Sequence, residues 1–190
     1  MYYFAKKEGI QLREMQDDRH DYTIMAKWLS DPIILEYYEG RDNPFDLERI
    51  IEKYAPRVQK KSKVIPCIIE YNQQAIGYIQ YYPIVDDYET DGAVDFSAYS
   101  APYGIDLFIG EVSFWNQGLG TLVIQAILMY LFERNISDGV FIDPKTSNTR
   151  AIKCYEKCGF TPITVIKCRE EHEGAFRDSL IMSISKNKPF

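Results

Sequence analysis

The stretch from Trp115 to Thr121, Trp-Asn-Gln-Gly-Leu-Gly-Thr, constrains this chain more than any other. It joins an apolar segment ending near Ile109 to a run whose apolar or small residues fall at 119, 122, 123, 126, 127, 130 and 131. That i, i+3, i+4, i+7 recurrence predicts a helix from Leu119 to Leu131 that buries one face. A glycine-rich turn opening a helix presents unpaired backbone N–H groups at the positive end of the helix dipole. Such a place suits a phosphate or pyrophosphate. The same glycines also suit a tight strand-to-helix turn with no ligand, and alone they do not separate the two.

A chain of 190 residues is expected to form one domain, residues 1–190, whose core needs neither disulfide nor metal. The N-terminus from Met1 to Glu8 lacks the apolar run of a signal peptide, and no segment is long enough to span a bilayer. A cytoplasmic protein with no membrane partner is expected. Cys67, Cys154, Cys158 and Cys168 then read as reduced thiols. Cys154 and Cys158 stand one helical turn apart. With only His20 and His172 to join them, a zinc site has little support and no metal is expected.

Charge is more informative in its distribution than in its total. A net of -6 argues against nucleic acid as the main partner. Between Lys63 and Arg134 there is no lysine or arginine, while Glu70, Asp86, Asp87, Glu89, Asp91, Asp95, Asp106, Glu111 and Glu133 fall in that interval. Such an asymmetry is compatible with a solvated acidic surface. It also fits a field that attracts a small polycation, and the crowding of acids between Asp86 and Asp95 favours that reading.

Along the chain, short strands alternate with helices. Gly9 to Met15 reads as a strand; Asp17 and Asp18 lead into a helix that turns Ile24, Trp28, Met25 and Leu29 inward. Pro32 starts a short helix through Tyr38, and Leu47 to Tyr54 forms another. Val64 to Tyr71 and Ala75 to Tyr82 make a hairpin. Pro83 to Pro102 shows no periodicity and is acidic and aromatic, as in a lid, a binding loop or a disordered segment. Tyr103 to Ile109 and Val140 to Asp143 are strands. Asn148 or Ser147 caps a helix that Gly159 ends after Cys158. Phe160 to Lys167 and Asp178 to Ser185 are strands joined by a polar loop containing Glu170, Glu171, His172 and Glu173.

The segment after the long helix breaks the tie over the glycine turn. Asp143-Pro144, Asn148, Ala151-Ile152, Tyr155-Glu156-Lys157 and Gly159-Phe160 together resemble the second coenzyme-binding motif of the GNAT acyltransferase superfamily. Trp115 to Thr121 resembles its first motif, with Trp115 where Gln or Arg is usual. The resemblance covers nearly the whole chain. It implies an α/β (α+β) GNAT fold: a mixed, strongly twisted sheet of about six or seven strands flanked by helices, binding acetyl-coenzyme A as co-substrate. Within the superfamily, Lys27-Trp28-Leu29, Glu36 to Gly40, Gly77 to Gln80 and especially Gly104 to Gly110 are similar to the aminoglycoside 6′-N-acetyltransferases.

That resemblance implies roles for particular residues. Asp106 would bind the acceptor ammonium and accept its proton, directly or through water; an unshifted carboxylate near ~4 would act mainly as an orienting anion. Tyr155 would protonate the departing thiolate, a sensible match because a phenol titrates near ~10; its spacing from Ala151 and Cys158 equally suits a core tyrosine. The oxyanion would find a backbone donor at the strand end near Ile109. Phe108, Ile109, Gln117, Gly118, Leu119, Gly120, Thr121, Asn148, Ala151 and Tyr155 would hold the coenzyme, with further charge from Lys145, Arg150, Lys153 or Lys157. Tyr38, Gln80, Asp91, Asp106, Asp143 and Glu173 would meet a polycationic aminoglycoside. The protein would be a monomer or homodimer. Two other functions stay open: a GNAT enzyme for another amine, such as a protein N-terminus, a ribosomal protein, a polyamine or a siderophore precursor, and a binding protein without turnover.

Overall fold

A computed structural model describes residues 2–85, 90 and 92–186. Eight strands form one sheet: β1 (Ala5–Lys7), β2 (Ile10–Glu14), β3 (Ile65–Tyr71), β4 (Gln74–Pro83), β5 (Pro102–Ile109), β6 (Gly139–Ile142), β7 (Thr161–His172) and β8 (Ala175–Ser185). Their spatial order is β1-β2-β3-β4-β5-β6-β8-β7, and β5–β6 is the parallel pair. The sheet is mixed, as expected, with one strand more than expected. The extra element, β1, has only 3 residues, too short for an alternating pattern to register.

The helices are α1 (Arg19–Trp28), α2 (Pro32–Leu35), α3 (Leu47–Val58), α4 (Leu119–Glu133) and α5 (Thr149–Lys157). They take opposite faces of the sheet because strand side chains alternate. Val123, Ile127 and Leu131 of α4 are buried with Ile10, Leu12, Ile79 and Ile105 on one face. Met25 and Trp28 of α1 and Ile50 and Tyr54 of α3 are buried with Ile68, Tyr78 and Phe108 on the other.

The inward stripe of α1 differs from the expected one: Asp21, Tyr22, Met25 and Trp28 are buried, while Ile24 is only half-buried. Asp21 is inside because Arg13 of β2 meets it bidentately, Nη1 to Oδ2 at 2.6 Å and Nη2 to Oδ1 at 2.8 Å. The same guanidinium donates through Nε to Glu70 of β3 at 2.7 Å. A buried charge of this kind persists only when paired and hydrogen-bonded.

Other boundaries move as well, and α2 stops at Leu35 rather than running through Tyr38. The helix expected to stop at Tyr54 runs to Val58 through Pro56. The donor lost at Pro56 is the one that would serve the carbonyl of Glu52, on the exposed face, where water can replace it. The β7–β8 hairpin is longer than expected, so Glu170 to His172 belong to β7, and Glu173 and Gly174 turn the chain, both at positive φ. In the long connection before β5, residues 86–89 and 91 lie outside the described residues. Its later half is packed: Val94 is buried with Phe141 and Ile181, and Asp138 accepts the amides of Ser100 and Ala101.

Candidate active site

The site begins where β5 and β6 part. Their pairing runs from Pro102↔Gly139 to Gly104↔Phe141, after which β5 continues to Ile109 along β4 only. The Gly110 amide donates to the Ile76 carbonyl at 2.8 Å. Bonded and unbonded pairs alternate in an antiparallel ladder, so Phe108 and Asp106 bond to β4. The main-chain groups of Leu107 and Ile109 therefore face the opened wedge. Gly110 and Glu111 both donate to Ile76, two residues against one, the mark of a bulge. Gly77 permits this close approach, since a Cβ there would lie 2.3 Å from the Phe108 carbonyl oxygen.

Two cavities open on either side of β5. The first, about 410 Å³, is walled by Phe108 and Ile109, the turn from Trp115 to Thr121, and α5. Gly118 caps α4 at φ +78, a conformation that favours glycine, and a side chain there would meet nothing within 4 Å. The Thr121 amide already donates to the Gly118 carbonyl at 3.0 Å, so at the start of α4 it is the amides of Leu119 and Gly120 that lack an intrahelical partner. Gln117 is turned away, its side-chain amide donating to the Ser113 carbonyl at 2.6 Å.

Positive charge reaches this cavity from α5. Arg150, Lys153 and Lys157 all line it, whereas Lys145 does not. Arg150 is held by aromatic faces: its guanidinium carbon lies 3.9 Å from the Trp115 ring centre and 4.9 Å from that of Tyr37. The Trp115 indole in turn donates to the Ile109 carbonyl at 2.8 Å. Tryptophan at this position thus fixes the strand end and seats a cation. Outward amides at a helix start, beside three basic side chains, fit a diphosphate chemically.

The second cavity, about 610 Å³, lies beyond Tyr37, Tyr38, Leu107, Asn148 and Tyr155, which line both. Asp106 projects into it and accepts from Gln80 Nε2 at 2.6 Å. Gln80 has no capacity left on its oxygen, which accepts from Arg57 Nη1 at 2.7 Å and from the Tyr78 hydroxyl at 2.8 Å. Arg57 lies beyond Tyr54, the residue at which sequence periodicity ends α3. The Tyr155 hydroxyl belongs to a side chain that is 8% exposed; burial, reinforced by Cys154, Asp106 and Asp143, pushes its pKa above the usual phenol value. Tyr38 is raised likewise, chiefly by burial, and its ring packs at a tilt against Phe108, with centroids 4.8 Å apart.

The remaining residues expected at the acceptor site divide. Asp143 lines the second cavity with Arg169 of β7 at 3.1 Å. Asp91 lies outside the described residues. Glu173 is committed elsewhere: Arg41 donates to it from its backbone amide at 3.1 Å and from Nη2 at 2.7 Å, and this holds its carboxyl down to about 2. Asn148 spends its side-chain oxygen as the N-cap of α5, accepting from Ala151 at 3.2 Å. Lys145 lines the second cavity, buried, with Nζ 2.7 Å from His172 Nδ1, and burial lowers its pKa. Its partner's Nε2 lies 3.0 Å from the Glu36 carbonyl. The cavity lining is therefore of mixed sign: Glu39, Asp106, Asp143, Glu170 and Glu171 face Lys53, Arg57, Lys145 and Arg169. Arg57, Arg169 and the Lys145–His172 pair carried no local sequence signal, because each takes its meaning from a partner distant in the chain.

Among the described residues no helix is long and apolar enough to cross a membrane, and no group of three His, Cys, Asp or Glu side chains is placed to hold a metal. A family model for the acetyltransferase (GNAT) domain matches residues 17–168. Aminoglycoside N(6′)-acetyltransferase type 1 of Klebsiella pneumoniae is 33% identical over 153 residues, covering 80% of this chain and 74% of that protein. The structure of AAC(6′)-Ib with ribostamycin and coenzyme A superposes with a TM-score of 0.74 at 28% identity, covering 94% of each chain. Spermidine N-acetyltransferase from Vibrio cholerae, solved with CoA and spermine, superposes with a TM-score of 0.75 over 96% of this chain and 98% of that one; at 17% identity this similarity speaks for the fold alone.

Proposed function

The chain belongs to the GNAT acetyltransferase family, and we propose that it transfers the acetyl group of acetyl-coenzyme A to the 6′-amine of an aminoglycoside, conferring resistance. The observation that carries this reading is the shared wall. The cavity suited to a diphosphate and the cavity holding Asp106 meet at Tyr37, Tyr38, Leu107, Asn148 and Tyr155, a shared wall at which a donor carbonyl and an acceptor amine can be brought together.

Bound acetyl-coenzyme A supplies an activated thioester carbonyl. Leu119 and Gly120 donate their amides to the diphosphate, and Arg150, Lys153 and Lys157 neutralise its charge. Asp106, held by Gln80, receives the acceptor ammonium and takes one proton from it, directly or through a water, so that the nitrogen lone pair is free to attack. The open-edge amides of Leu107 and Ile109 donate to the oxygen as it becomes negative. Tyr155 gives its proton to the sulfur as the carbon–sulfur bond breaks, and the second amine proton leaves to solvent. No covalent enzyme intermediate is needed. Around this chemistry the reading places Tyr38, Gln80 and Asp143 at the acceptor, within one catalytic domain in the cytoplasm, as a monomer or homodimer.

Turnover with acetyl-coenzyme A and a panel of kanamycin, tobramycin, spermidine and peptide N-termini tests the acceptor, with the acetylated position read by NMR. Acetylation of the antibiotics at the 6′-nitrogen is expected. Acetylation of a peptide or spermidine with no antibiotic modified would overturn the acceptor while leaving the donor chemistry in place. An Asp106→Ala protein that keeps normal rates would overturn the mechanism.

A further inference from the structure

The first cavity holds a thiol in its wall that acetyl transfer does not use. Cys154 of α5 faces the opening turn of α4, its sulfur 3.5 Å from Thr121 Oγ1. A Cβ on Gly120 would lie 3.4 Å from that sulfur, so glycine leaves the thiol uncovered on the side where Gly118, Lys153 and Lys157 complete the lining. One turn later, Cys158 is buried and its S–H donates to the Thr121 carbonyl at 3.7 Å. The two thiols thus differ in what they meet. Cys158 finds an acceptor and keeps its proton. Cys154 finds a hydroxyl able to donate, a helix N-terminus and Lys157. Beside Cys158, Thr121 and Lys157 its pKa is lowered, while that of Cys158 is pushed up. Of the other thiols, Cys67 is fully buried, and Cys168 is exposed on β7 and lines neither cavity.

We infer that Cys154 is a modification site, forming a mixed disulfide with a low-molecular-weight thiol of the glutathione class that blocks the donor cavity. The Cys154 thiolate attacks one sulfur of the small disulfide; a new S–S bond forms as the old one breaks, and the other half departs as thiolate. No further oxidant enters, and excess thiol runs the exchange backward. A diphosphate at the start of α4 would cover this sulfur and, by its charge, favour the protonated thiol. Coenzyme and modification therefore exclude each other. The exclusion rests on the proposed donor cavity; the modification does not.

The test uses the full chain as a Cys168→Ser protein, which removes the exposed thiol. Incubated with glutathione disulfide, it is expected to gain one glutathionyl group, mapped to Cys154 by peptide mass spectrometry and removed by dithiothreitol. Saturating desulfo-coenzyme A, which has no thiol of its own, is expected to slow labelling about tenfold or more by mass action. Loss of acetyltransferase activity should track the label, and a Cys154→Ser/Cys168→Ser protein should keep whatever rate it starts with under the same treatment. Absence of label at Cys154 in the native protein, when the urea-unfolded chain accepts it, overturns the proposal. So does a labelled protein that binds desulfo-coenzyme A as tightly as the unlabelled one. Failure of desulfo-coenzyme A to bind even the unlabelled protein overturns the donor-cavity reading instead, and the peptide map still decides the site.

Discussion

Gln80 donates through Nε2 to Oδ2 of Asp106 at 2.6 Å, across the β4–β5 ladder in which the two are direct partners. Which way the Gln80 amide faces is set by its other end. Arg57 and the Tyr78 hydroxyl are both donors to Oε1, so the nitrogen has to face the carboxylate. Gln80 is thus a positioning residue for Asp106, and Arg57 positions Gln80.

Removing that donor should cost rate rather than binding. A hydrogen bond to a charged group contributes about 1.5–3 kcal/mol, so Gln80→Leu should lower kcat by roughly 10- to 150-fold with little change in the KM for acetyl-coenzyme A. Arg57→Met should act in the same direction and more weakly, since Tyr78 still orients the amide. Steady-state kinetics on both variants check this. An acceptor KM that rises with kcat unchanged would make Gln80 a substrate ligand instead.

Tyr155 should remain an acid across the working pH range. Burial and the neighbouring carboxylates raise its pKa above the ordinary phenol value of about 10. A raised pKa means that the protonated form persists up to and beyond that value, so kcat should show no fall from Tyr155 between neutral pH and about 10. Tyr155→Phe should lower kcat by about 10²- to 10⁴-fold, the usual range for a general acid. A wild-type basic limb near the ordinary phenol value, abolished in Tyr155→Phe, would show that binding undoes the shift.

Arg150 should act on the donor alone. It lies on the faces of Trp115 and Tyr37 and lines the first cavity but not the second. Arg150→Ala should raise the KM for acetyl-coenzyme A about tenfold, as loss of one charge-assisted contact implies. Trp115→Phe keeps an aromatic face but loses the indole bond to Ile109, so it should lower kcat as well. Isothermal titration with desulfo-coenzyme A separates the two effects.

The parts of the fold and site that were legible in the sequence had a local signature. The apolar period from Leu119 to Leu131, the glycines of its opening turn and the Asn148 cap each declare themselves within one turn of helix. Arg57 did not, because Pro56 argues locally for a helix end and only the exposure of the preceding turn makes the proline tolerable. The fate of Glu173 was equally invisible: its partner Arg41 is 132 residues away in sequence. The acidic interval between Lys63 and Arg134 is only partly placed against the site, since Asp86, Asp87, Glu89 and Asp91 lie outside the described residues. Asp106 is its one carboxylate lining the second cavity among the described residues, and Arg57, Lys145, Lys53 and Arg169 enter from outside that interval. A run of charge predicts a field only when the fold brings no opposite charge to it.

The Arg13 cluster offers the sharpest stability test. Arg13 and Asp21 are 2% and 1% exposed, and Glu70 is 6% exposed, so breaking one contact strands a charge that water cannot reach. Asp21→Ala should destabilise the fold by about 3–5 kcal/mol, the cost of leaving a buried partner uncompensated. Replacing all three with apolar residues of similar volume should cost far less, and the balance of desolvation against attraction allows it to be neutral. Urea unfolding of the single and triple variants distinguishes the cases. A triple variant less stable than Asp21→Ala would mean that the cluster holds β2, α1 and β3 together by net attraction rather than by mutual neutralisation. Since α1 also meets the end of β5 through Trp28 Nε1 and Glu111 at 2.9 Å, the single variant should lose activity at lower temperature than wild type.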